Sequence, residues 1–146
     1  MEICLAGETK VVLHKGNKKS LAELAESDEK VKIYSGEWKS DTWIPVIKEA
    51  TAVKIGEQSV VTLKLEDGTD FKCTPDHKLA LKEAEEFVEA KDSKDKVIAT
   101  YNHKGIKVVD VVDEGETIDV YDMKVEGADN FFINSGRMTI LVKTCS

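Results

Sequence analysis

The amino-acid sequence predicts an all-β domain with one or two short helices. Apolar and polar residues alternate in many short runs, turn-forming residues separate those runs, and helix-start signals are scarce. A chain of 146 residues fits one domain, able to bury a core without a disulfide or metal staple. Apolar residues make up 41% of it before its 9 glycines are added, an ordinary globular content that excludes disorder as the main description.

The alternating runs fall at residues 9–13, 31–34, 42–53, 59–65, 70–73, 97–101, 106–112, 117–125 and 139–142. Each reads as a strand because every second side chain can face one covered surface. Glu66-Asp67-Gly68-Thr69 is the strongest turn, since Asp-Gly between two alternating runs fits a tight hairpin and glycine adopts positive φ without strain. Tyr34-Ser35-Gly36-Glu37 is a second, weaker turn candidate. The helix signal is Ser20-Leu21-Ala22-Glu23, a capping-box match opening residues 21–25, where Leu21, Leu24 and Ala25 share a face. Residues 82–91 fit a helix by propensity and equally a brief strand around Phe87-Val88 followed by one helical turn. The charged stretches 82–89 and 91–96 read as solvated surface. Asn102-His103-Lys104-Gly105 is a polar connector that would tolerate interruption.

Charge narrows the function classes. Twenty-eight acidic residues against 21 basic ones leave a net −7, spread along the chain, which argues against nucleic acid or an anionic membrane as partner. Arg137 is the sole arginine, so multi-arginine phosphate clamps are absent and phosphoryl transfer is disfavoured. No apolar run approaches the ~20 residues that span a bilayer. The first residues, Met1-Glu2-Ile3-Cys4-Leu5, lack the pattern of a secretory leader. The expectation is a soluble, cytoplasmic monomer. Cys4, Cys73 and Cys145 form an odd set without CxxC spacing, so neither a disulfide framework nor a zinc knuckle is indicated.

Cys4 lies near one end of the chain and Cys145 near the other, while Thr74-Pro75-Asp76-His77 directly follows Cys73. Singly, a cysteine is usually a small buried hydrophobe and a loop histidine a solvated polar group. Together with their neighbours they form a pattern. It consists of Cys4-Leu5-Ala6-Gly7-Glu8-Thr9-Lys10-Val11, Leu65-Glu66-Asp67-Gly68 followed by Cys73-Thr74-Pro75-Asp76-His77-Lys78, and Val120-Tyr121-Asp122-Met123-Lys124-Val125-Glu126-Gly127 followed by Asn130-Phe131-Phe132-Ile133-Asn134. In order, spacing and total length these segments resemble the successive blocks of inteins, here a mini-intein lacking a homing endonuclease.

The resemblance implies the Hint fold, a horseshoe-like β structure that brings the chain ends together, and a single-turnover autocatalytic rearrangement of peptide bonds. It divides the chain into an upstream flank stub at 1–3, the splicing domain at 4–144 and a downstream stub at 145–146, the state of an unspliced precursor. Its partners would be the flanking extein sequences in cis, or a complementary fragment if the domain is split. By resemblance Cys4 attacks the carbonyl of Ile3 and leaves a thioester, a reaction suited to a thiol nucleophile. Thr74 would hold the scissile peptide, His77 would protonate the leaving nitrogen, and Pro75 would restrict the loop that carries both. Asp122 would move a proton between Cys4 and Cys145, the acceptor of the acyl group. No cofactor is implied. Cys4, Cys145 and His77, if the fold gathers them, could bind Zn²⁺ adventitiously rather than as a physiological ligand set.

The sequence departs from the family at one end. Inteins usually finish Val-His-Asn before the downstream nucleophile, the Asn cyclising with help from the His; this chain reads Val142-Lys143-Thr144-Cys145. Thr144 has no side-chain amide, and an ammonium at Lys143 carries three donors and no acceptor. Upstream, Asp129 stands where the block often has His before Asn130-Phe131-Phe132, and residues 135–138 look like an insertion. All departures fall on C-terminal cleavage, so inefficient splicing with a competent N-terminal half is expected. The chain would be a degenerate natural intein, a variant altered to stop C-terminal cleavage, or an intein ending at Asn134-Ser135. Rival functions are a hedgehog-type or bacterial intein-like Hint domain performing N-terminal cleavage only, and a non-enzymatic β-rich interaction domain.

Overall fold

A computed structural model describes residues 4–144. In chain order the strands are β1 (Leu5–Ala6), β2 (Lys10–Val12), β3 (Lys18–Ser20), β4 (Val31–Lys39), β5 (Thr42–Ser59), β6 (Val61–Leu65) and β7 (Asp70–Cys73). They continue with β8 (Lys78–Ala80), β9 (Phe87–Glu89), β10 (Val97–Ile98), β11 (Ile106–Val112), β12 (Thr117–Val125), β13 (Asn130–Asn134) and β14 (Thr139–Lys143). Helix α1 (Leu21–Ser27) follows β3, and a single 3-10 turn (Ala90–Asp92) follows β9. The all-β expectation holds.

The strands pair into an eight-stranded sheet, ordered β10-β11-β6-β7-β1-β12-β5-β4, and a six-stranded sheet, ordered β3-β2-β13-β14-β8-β9. Isolated bridges Leu13↔Ile33, Leu81↔Ile98 and Thr100↔Ile140 tie further backbone into this framework. Local chemistry accounts for the elements. Helix α1 carries the expected capping box: the Ser20 hydroxyl accepts the Glu23 N–H, and the Glu23 side chain accepts the Ser20 N–H. Leu21 and Leu24 are buried and Ala25 packs against the core, as their shared face requires. The β6–β7 hairpin turns at Asp67-Gly68, where Asp67 Oδ1 accepts the Thr69 N–H at 2.9 Å.

Two expectations need correction. Residues 34–37 are no turn but the middle of β4, and the reversal comes later, at Ser40 and Asp41, both left-handed (φ 53° and 62°) between the paired Lys39 and Thr42. That backbone is the type I′ geometry whose twist suits a two-residue hairpin. Gly36 serves close approach instead: a Cβ there would lie 2.5 Å from Leu141 Cδ2. The second correction is at 97–101, where strand geometry ends at Ile98 and the chain leaves to bridge β14 through Thr100. The open case at 82–91 resolves into a brief strand and one helical turn.

The largest buried cluster joins both sheets and α1 through Leu5, Leu21, Leu63, Leu79, Phe131 and Val142. A second, with Trp43, Phe132 and Leu141, is lined by aromatic rings. Tyr101 meets Phe132 edge-on at 5.7 Å, and Trp43 meets Phe87 at 5.7 Å. A third, smaller cluster contains Cys4, Val60 and Val120.

Candidate functional site

Strand β1 has only two residues, yet it occupies the interior of the larger sheet, with Leu5 opposite Cys73 of β7 on one side and Tyr121 of β12 on the other. Both registers are antiparallel, so one residue further back they set Cys4 between Thr74 and Asp122. The Thr74 side is made by two hydrogen bonds. The Cys4 N–H donates to Thr74 Oγ1 at 2.8 Å, and the Thr74 N–H donates to the Cys4 carbonyl at 2.9 Å. The Cys4 nitrogen belongs to the Ile3–Cys4 peptide, so the Thr74 hydroxyl sits on the bond that an acyl shift would break. On the other side Asp122 is buried, and its Oδ1 accepts the Met123 N–H at 2.7 Å. A bulge opposite Val120 and Tyr121 leaves Ile55 of β5 as the extra residue beside this point.

Thr74-Pro75-Asp76-His77 is a β-turn closed by the His77 N–H donating to the Thr74 carbonyl at 3.0 Å. Proline after the first residue suits it, because its fixed φ matches that corner. The turn is also where the chain crosses between sheets, since β7 beside β1 leads into it and β8 beside β14 leads out. Thr74 and His77 are fully enclosed. The antiparallel register Val142↔Leu79, continued past the ladder, runs Thr144 toward His77. One turn therefore faces Cys4 at its start and the end of β14 at its other end.

Residues 89–91 grip this turn from outside. The Ala90 N–H donates to the His77 carbonyl at 2.7 Å and the Lys91 N–H to the Pro75 carbonyl at 2.9 Å. Lys91 Nζ donates to Asp76 Oδ1 at 2.9 Å. The Lys91 ammonium thereby holds the Asp76 carboxyl below the usual carboxylate range. Sequence reasoning missed this grip, having read both charged stretches as solvated surface. Cys73 is also buried, and burial pushes its thiol up.

At the other end, Lys143, Thr144 and Asp129 meet one another. Lys143 Nζ lies 3.9 Å from Asp129 Oδ2 and 5.4 Å above the Phe87 ring, while the Thr144 N–H donates to the Asp129 carbonyl at 2.7 Å. Thr144 is buried. Asn130 links this group to β4: its carboxamide oxygen accepts the Gly36 N–H at 2.7 Å, and its Nδ2 donates to the Gly36 carbonyl at 3.1 Å and to Asp129 Oδ1 at 3.4 Å. Phe131 is core. Residues 135–138 form the loop of the β13–β14 hairpin, so Asn134 is held inside a ladder opposite Thr139. The expected convergence of Cys145 on Cys4 and His77 lies outside the described residues. Among the described residues no group of three or more His, Cys, Asp or Glu side chains is arranged to hold a metal ion, and no helix is long and apolar enough to cross a membrane.

No protein-family model matches the chain, and no curated protein matches it in sequence. Solved structures do resemble it. The DnaB intein from Synechocystis sp. PCC 6803 has a TM-score of 0.82 at 21% identity, over 99% of this chain and 99% of that one. The Ssp DnaB mini-intein variant M86 has a TM-score of 0.79 at 19% identity, over 100% of this chain and 97% of that one. The TvoVMA intein has a TM-score of 0.72 at 23% identity, over 95% of this chain and 96% of that one. Agreement over nearly the full length of each pair shows that this chain has the intein fold, the Hint fold expected from its motifs.

Proposed function

We propose that this chain is a self-processing protein-splicing domain whose reaction begins at Cys4. The observation that carries the reading is the Thr74 hydroxyl hydrogen-bonded to the Cys4 nitrogen, on the intein fold. The thiol sulfur attacks the Ile3 carbonyl carbon, a carbon–sulfur bond forms, and the Ile3–Cys4 carbon–nitrogen bond breaks. The thiol loses one proton and the departing nitrogen gains one. His77 supplies the proton to nitrogen, because an amide nitrogen leaves only when protonated. Thr74 fixes the peptide so that little orientational freedom is lost at the reacting atoms. Asp122 passes a proton between Cys4 and Cys145, which takes the acyl group. The upstream and downstream flanks, in cis, are the partners, with boundaries after residues 3 and 144.

C-terminal cleavage is impaired in this reading. Thr144 has no carboxamide to cyclise, and the Lys143 ammonium is engaged by Asp129 and Phe87 instead of acting as an imidazole would. Those contacts favour a second outcome, N-terminal cleavage without ligation, as in hedgehog-type Hint domains. A fusion with distinct proteins upstream of Ile3 and downstream of Ser146, followed by mass spectrometry, separates the two. Added thiol should release the upstream protein, Cys4→Ala should abolish that release, and His77→Ala should slow it about 100-fold. Undiminished release from Cys4→Ala would sink the reading. Lys143→His with Thr144→Asn should move product toward ligation. Ligated flanks as the major product of the unaltered chain would overturn the impairment.

A further inference from the structure

We propose that Lys91 is a positioning residue, which sets the Thr74–His77 turn so that the Thr74 hydroxyl stays on the Cys4 nitrogen. The proposal rests on the self-processing reading for its consequence, not for its geometry. The turn is tied at its start to Cys4, with which Thr74 exchanges two hydrogen bonds. Its one closing bond runs from the His77 N–H to the Thr74 carbonyl, and Pro75 has no N–H to offer. Among the described residues, three further bonds reach it from residues 90 and 91, each to a different residue: Ala90 to the His77 carbonyl, the Lys91 main chain to the Pro75 carbonyl, and the Lys91 ammonium to Asp76. Glu89 approaches the same ammonium at 3.5 Å and keeps it over the turn. The first two bonds use backbone and would survive any side chain at residue 91. The ammonium to Asp76 is the one bond of the three that depends on lysine.

The ion pair is partly exposed, so its direct contribution to folding is small. Its effect on the reaction is larger in proportion, because a shift of the turn moves Thr74 directly against the scissile nitrogen. Lys91 bonds Asp76 and Pro75 rather than Cys4, and its side chain works through Asp76.

The test uses the full chain fused to an upstream protein, with thiol-dependent release timed for the unaltered chain, Lys91→Ala, Lys91→Arg, Asp76→Asn and the double variant Lys91→Ala/Asp76→Asn. Each single loss should slow release about fivefold, the rate equivalent of one exposed ion pair. The double variant should be no slower than either single one, Lys91→Arg should recover to within about twofold, and denaturation midpoints should stay together. A second measurement needs no reaction. In a Cys4→Ala background, which keeps the N–H at residue 4, the His77 ring signals in NMR should move in Lys91→Ala and return in Lys91→Arg. A chain that fails to release its flank but shows this Lys91-dependent movement refutes the self-processing reading and keeps the positioning role. Rates and His77 signals untouched by Lys91→Ala would overturn the proposal, as would rate losses in Lys91→Ala and Asp76→Asn that multiply in the double variant.

Discussion

One carboxamide joins β13 to β4, the edge strand of the larger sheet. Asn130 satisfies both main-chain groups of Gly36, and the Ser35 hydroxyl lies 2.7 Å from the same carboxamide oxygen. In Asn130→Ala the Ser35 hydroxyl keeps the Asn130 position's main-chain carbonyl as acceptor, at 2.8 Å, but the Gly36 N–H and carbonyl are stranded in a buried site. Two unsatisfied groups should cost about 2–3 kcal/mol, read as a lower urea midpoint at unchanged slope. Sequence motifs pointed to Asn130 as a block residue without telling which bonds it makes, since Ser35 and Gly36 lie more than 90 positions away. The same limit governs the site. Cys4, Thr74, His77 and Asp122 could be singled out as candidates because their motif neighbours are distinctive, whereas nothing local distinguishes Lys91 from the other lysines of its charged stretch. Lys143 and Asp129 were each legible as departures, but their pairing came only from the fold.

At the scale of elements, strands were legible where one face is covered and the other wet. β6, with burial alternating from Val61 to Leu65, and β12 show that pattern. β13 does not: every residue from Asn130 to Asn134 is buried, both faces are covered, and no period of two survives in the sequence. β1 and β8 are too short to show a period, and β3 is largely polar. The misread turn in β4 has a different cause, because glycine was taken as a sign of reversal when it marks contact with Leu141. Gly36→Ala should therefore destabilise by about 1–3 kcal/mol through overpacking. Combined with Leu141→Ala, the loss should fall well short of the sum of the two single losses. Additive losses in that cycle would show that Gly36 is there for another reason.

Across the whole molecule, the exposed connector at 102–105 divides two interleaved halves. From beyond it, β11 enters between β10 and β6, β12 between β1 and β5, and the β13–β14 pair between β2 and β8. Neither half can complete a sheet alone, yet the cut itself removes little packing, so two separately produced pieces divided there should associate on mixing. Size-exclusion chromatography and circular dichroism would check this, with a 1:1 complex regaining the β spectrum as the expected result. The short central strand β1 has a consequence of another kind. Cys4 is held by Thr74, and the strand it leads into is held by β7 and β12, all of them parts of this chain downstream of the bond to be broken. In the proposed reaction these contacts travel with the chain itself, so the alignment of the Cys4 nitrogen should persist behind different upstream sequences. Equal rates of thiol-dependent release of two unrelated upstream proteins would check this.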